Sequence, residues 1–266
     1  MLIVCNGVFK SGSSWLHAII LEILRKNNIS VDKVPYKYTN NIKSPTTIIE
    51  SKLFEFLANE DYRAKNYITK SHYYLSKTMQ RQYDEKIYFF FVERDVRDAI
   101  VSHYHHIKKK YSFLRGLGFD SYYLFLGKLK AFEILNFNRR YRSNFTKENF
   151  FRYIDMKNDF ESVVIKISHI LGLRSLTLEE INTIKTATSI ENMRKKLLLG
   201  KSKYYSTVAK DRFSLIRKGQ VGDWINYLNK SQADEIDMIE KNKNVFFLKI
   251  FYFFLFTCRR QLFHIE

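Results

Sequence analysis

The sequence predicts an α/β fold, one domain over residues 1–266 with a central parallel sheet flanked by helices. Three observations predict it. A short apolar run at the N-terminus is broken by a glycine loop and followed by a helix-period apolar segment. A second, core-type run, Ile87 to Val92, is again followed by a helical pattern. Strand-like and helix-like segments then keep alternating, with no repeat and no linker between them.

Taken in order, Leu2 to Cys5 is short and wholly apolar, as expected of a buried parallel strand. Gly7 to Ser14 is the loop, and Trp15 to Leu24 has helical apolar spacing. Tyr67-Ile68-Thr69 and Ile87 to Val92 read as the next strands, and a helix is expected from about Val96 to Lys109. Asn149 to Ile154 reads as a fourth strand, followed by a helix from Phe160 to Leu171. Thr177-Leu178-Glu179-Glu180 has the pattern of a capping box and starts another helix.

Two stretches fall outside this rhythm. Lys195 to Lys218 is basic and weakly periodic, and is expected to be a mobile surface segment that orders as a lid. Val245 to Thr257 is almost entirely apolar. A spanning helix needs about 20 such residues, and this run is shorter and contains Lys249. We expect a buried terminal helix over 245–258. The alternative is an interfacial membrane-surface anchor flanked by Arg259 and Arg260.

Composition narrows the class. With 9 Gly and 2 Pro in 266 residues, collagen-like and Pro- or Gly-rich disordered chains are excluded. The net charge of +18 suits an anionic partner, but the cations are scattered and no nucleic-acid-binding fingerprint is present. We therefore expect no nucleic-acid partner. Cys5 and Cys258 make no disulfide framework, which fits a reducing compartment. The N-terminus lacks a basic leader and a cleavage site, so a cytoplasmic location is expected.

The loop carries the first chemistry. Backbone N–H groups between a strand and a helix point at an anion, and the helix N-terminus adds partial positive charge. Lys10 adds a full charge, and Ser11, Ser13 and Ser14 add hydroxyl donors. The loop is P-loop-like without being a Walker A sequence, because Lys10 precedes Gly12. Taken alone, it is equally a Ser/Gly turn with a solvated lysine. However, Lys10-Ser11-Gly12-Ser13-Ser14-Trp15-Leu16 closely resembles the Lys-Ser-Gly-Thr-Thr-Trp-Leu loop of cytosolic-type sulfotransferases. These enzymes use 3′-phosphoadenosine-5′-phosphosulfate (PAPS) and release adenosine 3′,5′-bisphosphate (PAP). The resemblance implies that this loop cradles the 5′-phosphosulfate, that Lys10 contacts the bridging oxygen, and that Trp15 stacks on adenine.

Two further signatures follow in the family's order. Arg94, at a strand end, and Ser102, about two helical turns on, can grip one phosphate. An ordinary amphipathic helix with surface charges would read the same. The stretch resembles the family's Arg-Asn-Pro-Lys-Asp-Val-Ala-Val-Ser-Tyr-Tyr-His motif, with register resting on Arg94, Asp98, Ser102 and Tyr104. Arg217-Lys218-Gly219-Gln220-Val221-Gly222-Asp223-Trp224 matches Arg-Lys-Gly-x-x-Gly-Asp-Trp at every fixed position. The resemblance assigns Arg94, Ser102, Arg217, Lys218 and Gly219 to the 3′-phosphate. It places Tyr153, Thr188 and Ser189 at the nucleoside. Ile190 departs from the family's phenylalanine. The resemblance spans residues 2 to 228.

Transfer to a hydroxyl needs a base, and histidine is the usual choice. His72 follows a candidate strand in Ile68-Thr69-Lys70-Ser71-His72, which resembles the family's Lys-Thr-His segment. That resemblance makes His72 the base and Lys70 a holder of the sulfuryl group. His103, His105 and His106 invite a metal reading, but His103 and His105 point to different helix faces, so no metal is expected. His17, His169 and His264 read as structural or surface residues. The rivals are a P-loop phosphotransferase needing magnesium and a non-catalytic polyanion-binding module. The expected acceptor is a small molecule with a hydroxyl or amine, its pocket drawn from Val31 to Tyr62 and Tyr111 to Arg142. A glycan is the alternative.

Overall fold

The computed structural model describes residues 1–39, 47–59, 62, 64–73, 87–198, 217–243 and 245–263. In chain order its main elements are β1 (Leu2–Asn6), α1 (Ser13–Lys26), α2 (Leu53–Leu57), β2 (Tyr67–Ser71), β3 (Ile87–Glu93) and α3 (Val96–Lys110). They continue with α4 (Lys128–Arg142), β4 (Phe150–Arg152), α5 (Tyr153–Asn158), α6 (Phe160–Ile170) and α7 (Leu178–Ala187). The last are α8 (Ile190–Leu198), α9 (Lys230–Glu240) and α10 (Phe246–Phe263). These residues fall into two compact units, Met1–Glu93 with Thr146–Gly219, and Arg94–Phe145 with Gln220–Glu266.

The first unit holds the sheet. Its strand order is β2-β1-β3-β4, and every pairing is parallel. β1 is buried along its whole length, which is why its sequence is apolar rather than alternating. α1 buries Leu16, Ile19, Ile20 and Ile23 at helical spacing, in one core with Phe160, Val164 and Ile167 of α6 and Ile181 and Ile184 of α7. The capping box at Thr177 is present, with Thr177 and Glu180 satisfying each other's backbone N–H.

The fourth strand is shorter than its pattern predicts. Only Phe150–Arg152 is extended, and α5 begins at Tyr153. Tyr153 and Met156 are buried three residues apart, a helical spacing that a strand reading of the aromatic run absorbs.

The second unit is helical. α3 starts with Asp95 as its cap, accepting from the N–H groups of Arg97 and Asp98. The buried carboxylate of Asp98 accepts from the N–H of Gly222 at 2.8 Å and of Trp224 at 3.2 Å. It thereby ties the Gly-Asp-Trp turn to α3. Burial raises its pKa, against the pull of the Gly222 amide and Arg94. His103 Nδ1 meets the Tyr122 hydroxyl and His105 Nε2 the Tyr227 hydroxyl, each at 2.9 Å. A recess in this unit is lined by His105, Lys108, Lys109 and Arg115.

The terminal run forms a helix, α10, but it is not buried as expected. Phe246, Phe247, Ile250, Phe251, Phe253 and Phe254 are all more than half exposed. Among the described residues, Val245 just before it is buried and Tyr252 packs on Phe132 of α4. Contact along that side leaves the apolar residues on the other faces in solvent. Most of the expected lid, residues 199–216, lies outside the described residues, as does His264.

Candidate functional site

Parallel pairing places the site. Asn6 of β1 lies opposite Ser71 of β2, so Gly7 and His72 leave the sheet side by side at the same edge. The buried Asn6 side chain fastens the two exits together. Its Oδ1 accepts from the Ser71 hydroxyl at 3.1 Å and the Tyr73 N–H at 3.0 Å, and its Nδ2 donates to the Tyr73 carbonyl at 3.3 Å.

The loop itself is strained in the way an anion cradle requires. Lys10 has φ 63° and Gly12 φ 111°, both left-handed. Gly12 is the N-cap of α1 and provides no side-chain cap, and the first turn carries no acidic residue. The positive end of α1 therefore stays available to an anion. Ser11 Oγ is buried with no hydrogen-bond partner, and so is Trp15 Nε1. A buried hydroxyl left without a partner costs about 1–3 kcal/mol, which a phosphate oxygen at the loop would remove. The loop fits a phosphate-bearing ligand on these grounds.

Cations and a histidine border the loop. Lys70 Nζ donates to Ser14 Oγ at 3.2 Å. His72 Nδ1 meets the Gly7 carbonyl. A carbonyl can only accept, so Nδ1 carries the proton and Nε2 keeps its lone pair. The pKa of His72 is lowered from 6.5 to about 4 by desolvation and Lys70, with the Gly7 bond opposing and Lys10 adding a smaller push. An exposed ring edge limits the desolvation cost, so the lysine charges are the firmer cause.

Behind the loop, Trp15 meets Tyr153 edge-on at 5.4 Å and stacks near Phe160 at 6.4 Å. Gly12 lies against the Tyr153 ring, where a Cβ would come 2.6 Å from Cδ2. Gly219, at φ 61°, faces Ile190 and the Tyr153 hydroxyl, with a Cβ position 3.2 Å from that oxygen. Tyr153 thus joins the first loop to the basic third motif. The hydroxyls of Thr188 and Ser189 are used locally: Thr188 donates to the Ile184 carbonyl at 2.8 Å, and Ser189 accepts from the Asn192 N–H at 3.2 Å. Arg94 and Ser102 belong to the second unit, where Arg94 donates to the Gln220 carbonyl at 2.8 Å. Asn6 and the tethering role of Asp98 carry no local signal, and sequence reasoning misses both.

His17, on the buried face of α1, is a stability element. Burial first and Lys70 second lower its pKa from 6.5 to about 3. The folded state therefore binds fewer protons than the unfolded state between those values. Stability present above pH 6.5 is lost as pH falls toward 3, at about 1.4 kcal/mol per pH unit. Urea unfolding at pH 7 and pH 5 should show the wild type losing about 2 kcal/mol more than His17→Gln. Equal losses would remove His17 from this account.

The fold and this edge define a parallel α/β protein with a Gly/Ser/Lys loop at a helix N-terminus and a histidine beside it. The family model for the sulfotransferase domain matches residues 2–245. The chain belongs to the sulfotransferase family. It is 28% identical over 239 residues to the 3-beta-hydroxysteroid sulfotransferase of Cavia porcellus, covering 88% of this chain and 80% of that one. It is 25% identical over 260 residues to cytosolic sulfotransferase 15 of Arabidopsis thaliana, covering 91% and 71%. The crystal structure of mouse sulfotransferase SULT7A1 complexed with PAP aligns with a TM-score of 0.65 at 22% identity, covering 96% of this chain and 88% of that one. The match supports the same fold.

Proposed function

We propose that the protein transfers the sulfuryl group of PAPS to a hydroxyl of a small organic acceptor, with His72 as general base. The observation that carries this reading is the tautomer of His72: Nδ1 donates to the Gly7 carbonyl at the start of the loop, which leaves Nε2 unprotonated. Support for the donor comes from the loop's unpartnered Ser11 hydroxyl and uncapped helix end, and from the PAP bound to the mouse neighbour. Support for a small acceptor comes from a relative named for hydroxysteroids. Relatives named cytosolic support a cytoplasmic location.

In this reading PAPS supplies an activated sulfuryl group. His72 Nε2 takes the proton of the acceptor hydroxyl as its oxygen forms the new bond to sulfur. The bond from sulfur to the bridging oxygen breaks, and PAP leaves with the electron pair. Lys10 offsets the charge on that leaving oxygen, and Lys70 the charge on the equatorial oxygens. Arg217, Lys218 and the Gly219 backbone are assigned to the 3′-phosphate.

Isothermal titration of the folded protein with PAP tests the donor. Saturable binding without magnesium is expected, and the absence of any heat would overturn the proposal. Labelled PAPS with a panel of alcohols, amines and glycans then identifies the acceptor. Turnover with ATP and magnesium, but none with PAPS, would favour the phosphotransferase instead.

A further inference from the structure

We propose that the exposed apolar face of α10 seats this protein on an anionic lipid surface, with the helix lying in the plane of the interface. α10 begins at Phe246, one residue past the end of the family match at 245. At about 100° per residue, Phe253, Phe246, Ile250, Phe254, Phe247 and Phe251 occupy one continuous arc of about 160°. Their exposures run from 51% at Phe251 to 81% at Phe247. The opposite side is the one that docks on the protein, through Val245 and Tyr252. Such a contiguous apolar patch is uncommon on soluble monomers unless something binds it.

Charge selects the occupant. Lys249 borders the arc, about 40° beyond Phe253, and Lys241 and Lys243 are exposed just before the helix. From Lys241 to Ile265 the chain has no Asp or Glu, and it adds Arg259 and Arg260. Aromatic residues on one face with cations at its edge are the pattern of a helix lying at a lipid headgroup boundary. Among the described residues, no helix is long and apolar enough to cross a membrane. A second copy of the chain fits less well. Each copy carries a net charge of +18 and would bring its lysine-edged arc against another.

Co-sedimentation of the full chain tests this with vesicles of phosphatidylcholine alone and of phosphatidylcholine mixed with phosphatidylserine. Binding to the serine-containing vesicles should be at least about tenfold tighter, and should weaken with added salt. The double variant Phe247→Glu/Phe251→Glu should lose vesicle binding while its circular dichroism and Tm stay unchanged, because both side chains are exposed. Lys249→Glu should reduce the preference for phosphatidylserine. Equal binding to both vesicle types, or binding indifferent to the phenylalanine substitutions, would overturn the proposal. So would a concentration-dependent dimer in sedimentation velocity that the same substitutions abolish. None of these readouts depends on PAP or on turnover.

Discussion

His72→Ala is expected to lower kcat by about 10²–10⁴-fold while leaving PAP affinity within about twofold of wild type. The split follows from where the imidazole sits. Its Nδ1–H is spent on the Gly7 carbonyl, so the unprotonated nitrogen is left for the proton that the proposed reaction moves. Stopped-assay kinetics with labelled PAPS, paired with calorimetry on PAP, separates the two effects. The pH profile adds a sign. The base works when neutral, so activity should persist below pH 6.5 and fall only as pH drops through about 4. Lys70→Gln removes one of the charges that lower this pKa and should move the acid limb upward. A variant at position 72 that turns over normally would end the assignment of His72 as base.

Gly12→Ala is expected to damage both stability and PAP binding strongly. The position has φ 111° and ψ 9°, a conformation that L side chains rarely adopt. The added methyl would also sit 2.6 Å and 3.0 Å from two ring carbons of Tyr153. Strain and overpacking together should cost about 2–4 kcal/mol of stability. PAP affinity should fall by about 100-fold or more, because the same shift moves the loop amides and the Tyr153 ring. Pairing it with Tyr153→Ala relieves the clash but not the backbone strain, so only part of the stability should return. Gly116→Ala is the control: nothing lies within 4 Å of its Cβ position, and a change under about 0.5 kcal/mol is expected. Thermal unfolding and PAP calorimetry on the four proteins check all of this. Wild-type behaviour of Gly12→Ala would mean that the loop does not need its left-handed turn.

The parts that were readable beforehand share one property: their determinants lie close together in the chain. β1, the Lys10–Ser14 loop and α1 are one unbroken stretch, where glycine, hydroxyls and lysine permit an anion cradle and the resemblance to the sulfotransferase loop favours it. The capping box at Thr177 is likewise a four-residue event. Asn6 could not be found this way. Its partners Ser71 and Tyr73 lie 65 and 67 residues away, and one asparagine at a strand end has many fates. Asp98 served only to set the register of a motif, yet its hydrogen bond to Gly222 spans 124 residues. Tyr153 misled because an aromatic run fits a strand and a short helix equally well until its burial is known.

By itself the sequence determined the parallel α/β class, because that rests on local period; the loop as an anion cradle and His72 as the histidine to test rest on their resemblance to the sulfotransferase motifs. The tertiary structure alone decided that Asn6 locks Gly7 beside His72, that the ring keeps its Nε2 lone pair, and that Tyr153 links Gly12 to Gly219. It also decided that Phe246, Phe247, Ile250, Phe251, Phe253 and Phe254 of α10 stay more than half exposed. Hydrophobicity is a property of residues, whereas burial and hydrogen-bond partnership depend on what the rest of the chain brings alongside.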